Sequence, residues 1–78
     1  MSNFELYVNC FCDSFGITAE QCAGLAYQDI PEWDSVGHMQ LVAALEETFD
    51  IMMDTEDILA MENFEKIMEI LKKYDVEF

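Results

Sequence analysis

The feature that most narrows what this chain can fold into is the spacing of its apolar residues. They recur every three or four positions in several stretches and nowhere sustain the alternation of a strand. Phe4, Val8, Phe11 and Phe15 make one stripe on a helix running from about Asn3 to Phe15, a core face with Gly16 behind it as a natural stop. Leu41, Val42, Leu45 and Phe49 make the inner stripe of a second helix, with Gln40, Glu46, Glu47 and Asp50 facing outward. That helix starts at Asp34 or Ser35 and ends near Phe49, and either starting residue can cap it. A capping Ser35 replaced by alanine costs about 1 kcal/mol. Asp54-Thr55-Glu56-Asp57 is an acidic helix start and favours a short third helix to about Met61. Asn63 caps a fourth, whose stripe is Phe64, Ile67, Met68, Leu71 and Tyr74; Lys72 and Lys73 suit the negative end of its dipole. Between Ile17 and Asp34 lie Gly24 and the only proline, Pro31, but also Ile17, Leu25, Tyr27 and Ile30. That loop is too apolar for a free linker and should be pinned to the helices, with one short turn near Ala19 to Ala23. The expectation is an all-α chain: a small four-helix bundle of three longer helices and one short one, with a long first loop, forming a single domain over residues 1–78.

Size and charge then bound the function. A chain of 78 residues sits near the lower limit for a self-supporting core, and it has little room for a deep active site with its supporting shell. An apolar fraction of 53% argues against disorder. Seventeen acids face three lysines, giving a net charge of −14, and no lysine or arginine precedes Lys66. Such a surface repels nucleic acid and anionic membranes and attracts basic protein partners. Cys10, Cys12 and Cys22 are an odd number of cysteines, with neither a signal-peptide pattern nor a long apolar run, which fits a reducing cytoplasm and gives little reason to expect an oligomer. Zinc is a poor fit, because Cys10 and Cys12 point about 200° apart on a helix.

Catalytic and metal-binding patterns fail on inspection. No Gly-x-Ser-x-Gly elbow surrounds Ser35, and His38, the only histidine, lies three residues further along the same helix with nothing to form an oxyanion hole. Counted from Asp50 as a calcium loop, the sixth position is Thr55 where glycine is needed and the twelfth is Met61 where glutamate is needed. Glu46 and Glu47 read as a solvated helix face, not an acid/base pair. His38 reads as a partly exposed helix residue able to touch a partner. No catalytic residue and no metal ligand is assigned.

Ser35 remains, in the context Glu32-Trp33-Asp34-Ser35-Val36-Gly37-His38-Met39. Asp34-Ser35-Val36 resembles the Asp-Ser-Leu attachment motif of acyl carrier proteins and the related peptidyl carrier domains. The helix ending Ala43-Ala44-Leu45-Glu46-Glu47-Thr48-Phe49-Asp50 is similar to that family's Leu-Glu-Glu-x-Phe ending, at a matching distance from the serine. Asp57-Ile58-Leu59 through Leu71-Lys72-Lys73-Tyr74 looks like the family's third and fourth helices, so the resemblance covers nearly the whole chain.

The resemblance implies that Ser35 carries a 4′-phosphopantetheine arm, installed from coenzyme A by a phosphopantetheinyl transferase, with Asp34 as the acid of the motif. The arm's thiol holds acyl groups as thioesters for other enzymes, and the chain itself catalyses nothing. Val36 and Met39 match apolar docking positions, Ala43 falls where a larger apolar residue is common, and Glu46 and Glu47 match acids that meet basic patches on synthase, transferase or ligase partners. Gly37, His38 and Gln40 depart from the pattern of fatty acid biosynthesis carriers, and Val36 stands for the usual leucine. Trp33 with Gly37-His38-Met39 looks more like stand-alone carriers of specialised acyl or polyketide metabolism, loaded by a dedicated ligase. In the family an acyl chain folds back among the helices, and Met52, Met53, Met61 and Met68 would suit such a pocket, though each more simply fills an imperfect core. Two alternatives stand beside this: an aminoacyl or peptidyl carrier loaded by an adenylating enzyme, and a small acidic helical interaction module whose Ser35 is only a cap.

Overall fold

Three of the four α-helices begin where a short polar side chain satisfies a free first-turn amide. In the computed structural model, which describes residues 1–78, Ser2 opens α1 (Asn3–Phe15). Its hydroxyl accepts the Glu5 N–H at 3.1 Å and the Glu5 carboxylate accepts the Ser2 N–H in return. Gly16, in the left-handed region at φ 66°, closes α1 by donating its N–H to Cys12. Asp34 caps α2 (Ser35–Phe49), and Asp50 ends it in a left-handed conformation. α3 (Thr55–Leu59) is a short acidic helix that ends at Leu59, two residues before the expected Met61. Asn63 caps α4 (Phe64–Lys72), accepting the Lys66 N–H at 2.7 Å. In the long loop, the expected turn is a 3-10 segment at Ala19–Gln21.

The chain is therefore all-α, and its one extended pairing is a single bridge between Ala26 and Asn63. That bridge pins the loop to the start of α4. Tyr27 N–H donates to the Glu62 carbonyl at 2.9 Å and Phe64 N–H donates to the Leu25 carbonyl at 2.8 Å. α1 packs on α2, and one core of 18 buried apolar residues joins α1, α2, α4 and the long loop, with Ile58 of α3 half-buried against it. No helix is long and apolar enough to cross a membrane.

Aromatic edges organise that core. Phe11 meets Tyr7, Phe64 and Trp33 edge-on at centroid distances of 5.1, 5.0 and 5.6 Å. Tyr7 is wholly enclosed, and its hydroxyl donates to the Phe64 carbonyl at 2.6 Å. Burial pushes that phenol far above its ordinary pKa, so it stays a neutral donor. Two expectations for the core need correction. Phe4 belongs to the α1 stripe by spacing, yet in the first turn of the helix it is 44% exposed and meets Phe64 only edge-on at 6.2 Å. Trp33, read from sequence only as a motif neighbour, is fully buried between Phe11 and Phe15.

Gly37 explains how the loop reaches the helix. A Cβ there would stand 1.9 Å from the Glu32 carbonyl oxygen and 3.3 Å from the Phe15 ring. Only glycine lets the segment before Ser35 lie directly against the first turn of α2.

Candidate functional site

The first question at Ser35 is what its hydroxyl does. Asp34 is the cap: its Oδ1 accepts the Gly37 N–H at 2.8 Å. Ser35 is the first residue inside the helix, so the expectation that it could serve as cap is corrected. Its side chain is exposed, and its Oγ has one neighbour, the Tyr27 hydroxyl at 3.4 Å. That separation is long for an O–H···O bond, so neither hydroxyl is strongly engaged. Ser35 and Val36 contribute first-turn amides that have no acceptor within the helix, at the end where the dipole favours an anion.

Beside Ser35 a cavity of about 320 Å³ opens between α2 and α3. Ser35, Tyr27 and His38 supply its polar groups, and Met39, Ile58, Leu59 and Met61 supply its apolar lining. Of the four methionines that suit either such a pocket or the core, only Met61 lines this cavity. Met53 is buried in the core, Met68 packs half-buried against it, and Met52 projects 87% exposed from the loop after α2. Met39, expected as a docking residue, lines the cavity as well.

His38 holds the two walls of this cavity together. The Trp33 indole can only donate, and its Nε1–H points at His38 Nδ1 across 2.9 Å. That assigns the ring proton to Nε2, which then donates to the Ile58 carbonyl at 2.9 Å. A path of two hydrogen bonds thus runs from the loop through α2 to α3. With both nitrogens engaged, the ring has no lone pair to offer Ser35. It is half-buried and committed internally, not free for a partner as the sequence suggested.

A second tie fixes α3 from the other side. Asp57 is the one buried charged residue, and its carboxylate accepts from Lys73 and from the Tyr74 hydroxyl, each at 2.5 Å. Tyr74 in turn accepts the Asp54 N–H at 2.9 Å. The Lys73 and Tyr74 hydrogen bonds hold the Asp57 carboxyl below the usual carboxylate range. The same bonds to Asp57 raise Lys73 and Tyr74.

The expected docking residues divide. Val36, Met39, Ala43 and Glu47 are exposed along α2, Val36 at 67% and Met39 at 52%. Glu46 was read as pointing outward, but it is half-buried and its Oε2 accepts the Met53 N–H at 2.9 Å, fastening the α2–α3 loop. Leu59, 79% exposed at the end of α3, was missed. An apolar residue beside the acids of so short a helix was the available signal. Because Met39 and Leu59 both line the cavity, the exposed apolar surface of α2 continues onto α3 around Ser35.

The thiols lie elsewhere. Cys10 and Cys22 are buried, and burial pushes both up, Cys22 to about 11 with further help from nearby Cys12. No group of three or more His, Cys, Asp or Glu side chains converges as a metal site. Compared with family models, curated proteins and solved structures, the chain matches none.

Proposed function

We propose that the chain is a carrier protein, a four-helix bundle that holds a 4′-phosphopantetheine arm on Ser35 and presents its acyl cargo to partner enzymes in the cytoplasm. One observation carries the reading. Ser35 has an exposed hydroxyl that no structural role consumes, at a helix N-terminus beside an apolar cavity. Those residues fit the group: the hydroxyl offers the point of attachment and the free first-turn amides suit the phosphodiester's charge. When bound, the arm supplies a thiol that carries the cargo as a thioester. The chain's own part is to tether and to dock. Tethering raises the cargo's effective concentration at a partner without any catalytic group, and Val36, Met39 and Leu59 with Glu47 offer that partner an apolar patch with an acidic rim. An adenylating enzyme as loading partner makes the same site an aminoacyl carrier. A small acidic interaction module would use the same apolar patch and acidic rim with no arm on Ser35.

The test is intact mass after incubation with coenzyme A, magnesium and a broad-specificity phosphopantetheinyl transferase, with Ser35→Ala alongside. The parent should gain one phosphopantetheine and Ser35→Ala none. A folded parent that gains nothing from more than one transferase would sink the carrier reading.

A further inference from the structure

An anion on Ser35 meets an unusual electrostatic problem here. The chain carries −14, its nearest cation in sequence is Lys66, and Lys72 and Lys73 are paired with Glu69 and Asp57. Asp34, the cap, adds a carboxylate directly beside the serine. A phosphodiester there needs neutral donors, and beyond the first-turn amides the structure offers one. The Tyr27 hydroxyl lies 3.4 Å from Ser35 Oγ, has no other hydrogen-bond partner, and borders the same cavity.

Tyr27 is also held in place for that role. Its ring meets Trp33 and His38 edge-on at 6.3 and 5.5 Å, and its backbone N–H is fixed to the Glu62 carbonyl. Trp33 is buried and His38 is bonded on both sides, so the ring leans on an immobile support. A phosphoryl group on Ser35 Oγ places its non-bridging oxygens two bonds beyond that atom, within reach of a donor that now stands slightly too far from Oγ itself. A phenol donating to a charged oxygen forms a stronger bond than one donating to a neutral hydroxyl.

We propose that Tyr27 is a positioning residue for the prosthetic arm: its hydroxyl donates to a non-bridging phosphate oxygen on Ser35 and fixes the direction in which the arm leaves the helix. The assignment rests on the carrier reading, and its test separates the two. Parent and Tyr27→Phe are loaded with the transferase and checked by intact mass; a parent that takes no arm refutes the carrier reading itself. Tyr27→Phe keeps the ring packing and removes only the donor. On the loaded proteins, the ³¹P resonance of folded parent should lie apart from that of the same protein unfolded in urea. Folded Tyr27→Phe should lose a large part of that difference while the two unfolded forms coincide. An unchanged ³¹P shift in folded, loaded Tyr27→Phe overturns the proposal and leaves the carrier reading standing. A second readout needs no loaded variant: the Tyr27 ¹³Cζ resonance of the parent should move between the unloaded and loaded states, and coincidence of the two also overturns it.

Discussion

At the scale of single residues, the site turns on a division of labour between neighbours. Asp34 ends the loop and caps α2, which leaves the Ser35 hydroxyl free. Capping therefore predicts an inverted mutational pattern. Asp34→Ala should cost about 1 kcal/mol, the ordinary penalty for losing a cap, while Asp34→Asn should restore most of it because asparagine caps equally well. Ser35→Ala should stay within about 0.5 kcal/mol of the parent, as exposed substitutions away from such features usually do. Urea unfolding of the three variants checks this, and a Ser35→Ala loss as large as that of Asp34→Ala would return the cap to the serine. Sequence could offer both residues as caps but not choose, because the choice depends on which backbone turns out of the helix. Gly37 was equally opaque. Its lack of a side chain is required by the Glu32 carbonyl, and the contact exists only once the loop has folded back.

At the scale of elements, both ends of α1 and α2 and the start of α4 were legible because caps, stops and apolar spacing agreed there, whereas α4 ends at Lys72, short of the Tyr74 to which its apolar stripe runs. α3 was legible as a helix but not as a part. Five residues cannot hold themselves helical, so its position depends on tertiary ties. Those ties come from His38, Lys73 and Tyr74, 16 to 20 residues away, and from Glu46 holding the loop just before α3, and no periodicity reveals them. The Asp57 tie has a defined pH range. Its depressed folded pKa means its contribution is present above the unfolded carboxyl value of about 4 and is lost as pH falls through the folded value. Lys73 and Tyr74 are raised, so their contributions are complete below unfolded values of about 10 and are lost as pH rises through the folded ones. The stability difference between parent and Asp57→Asn should therefore be flat from about pH 5 to 9 and shrink outside that range. Urea unfolding across pH measures it, and a difference that grows below pH 4 would contradict the assigned partners. Within the flat range, loosening of α3 should show first as faster amide exchange at Ile58 and Leu59, the residues that wall the cavity.

At the scale of the whole molecule, size and charge combine into a final prediction. The chain measures 29 × 28 × 19 Å, and nearly all its formal charge is of one sign. At about 0.01 M salt the screening length is ~30 Å, so every carboxylate repels every other across the full width of the fold. At physiological salt it falls to about 8 Å, and only neighbours interact. Screening relieves the folded state more than the expanded one, since unfolding already separates the charges. Each kcal/mol relieved raises the midpoint by about 4–8 °C for a chain of this size. Thermal unfolding at neutral pH should thus shift upward by several degrees between these two salt concentrations. A midpoint that stays put would mean that the excess acids are too far apart or too well hydrated to matter. The same screening acts oppositely on recognition. A partner with a basic patch is drawn to Glu47 and its neighbours at low salt, and its association rate should fall as salt rises, with the dissociation rate nearly unchanged. Salt should therefore act on the charge in two ways, strengthening the fold while it slows the approach of any basic partner.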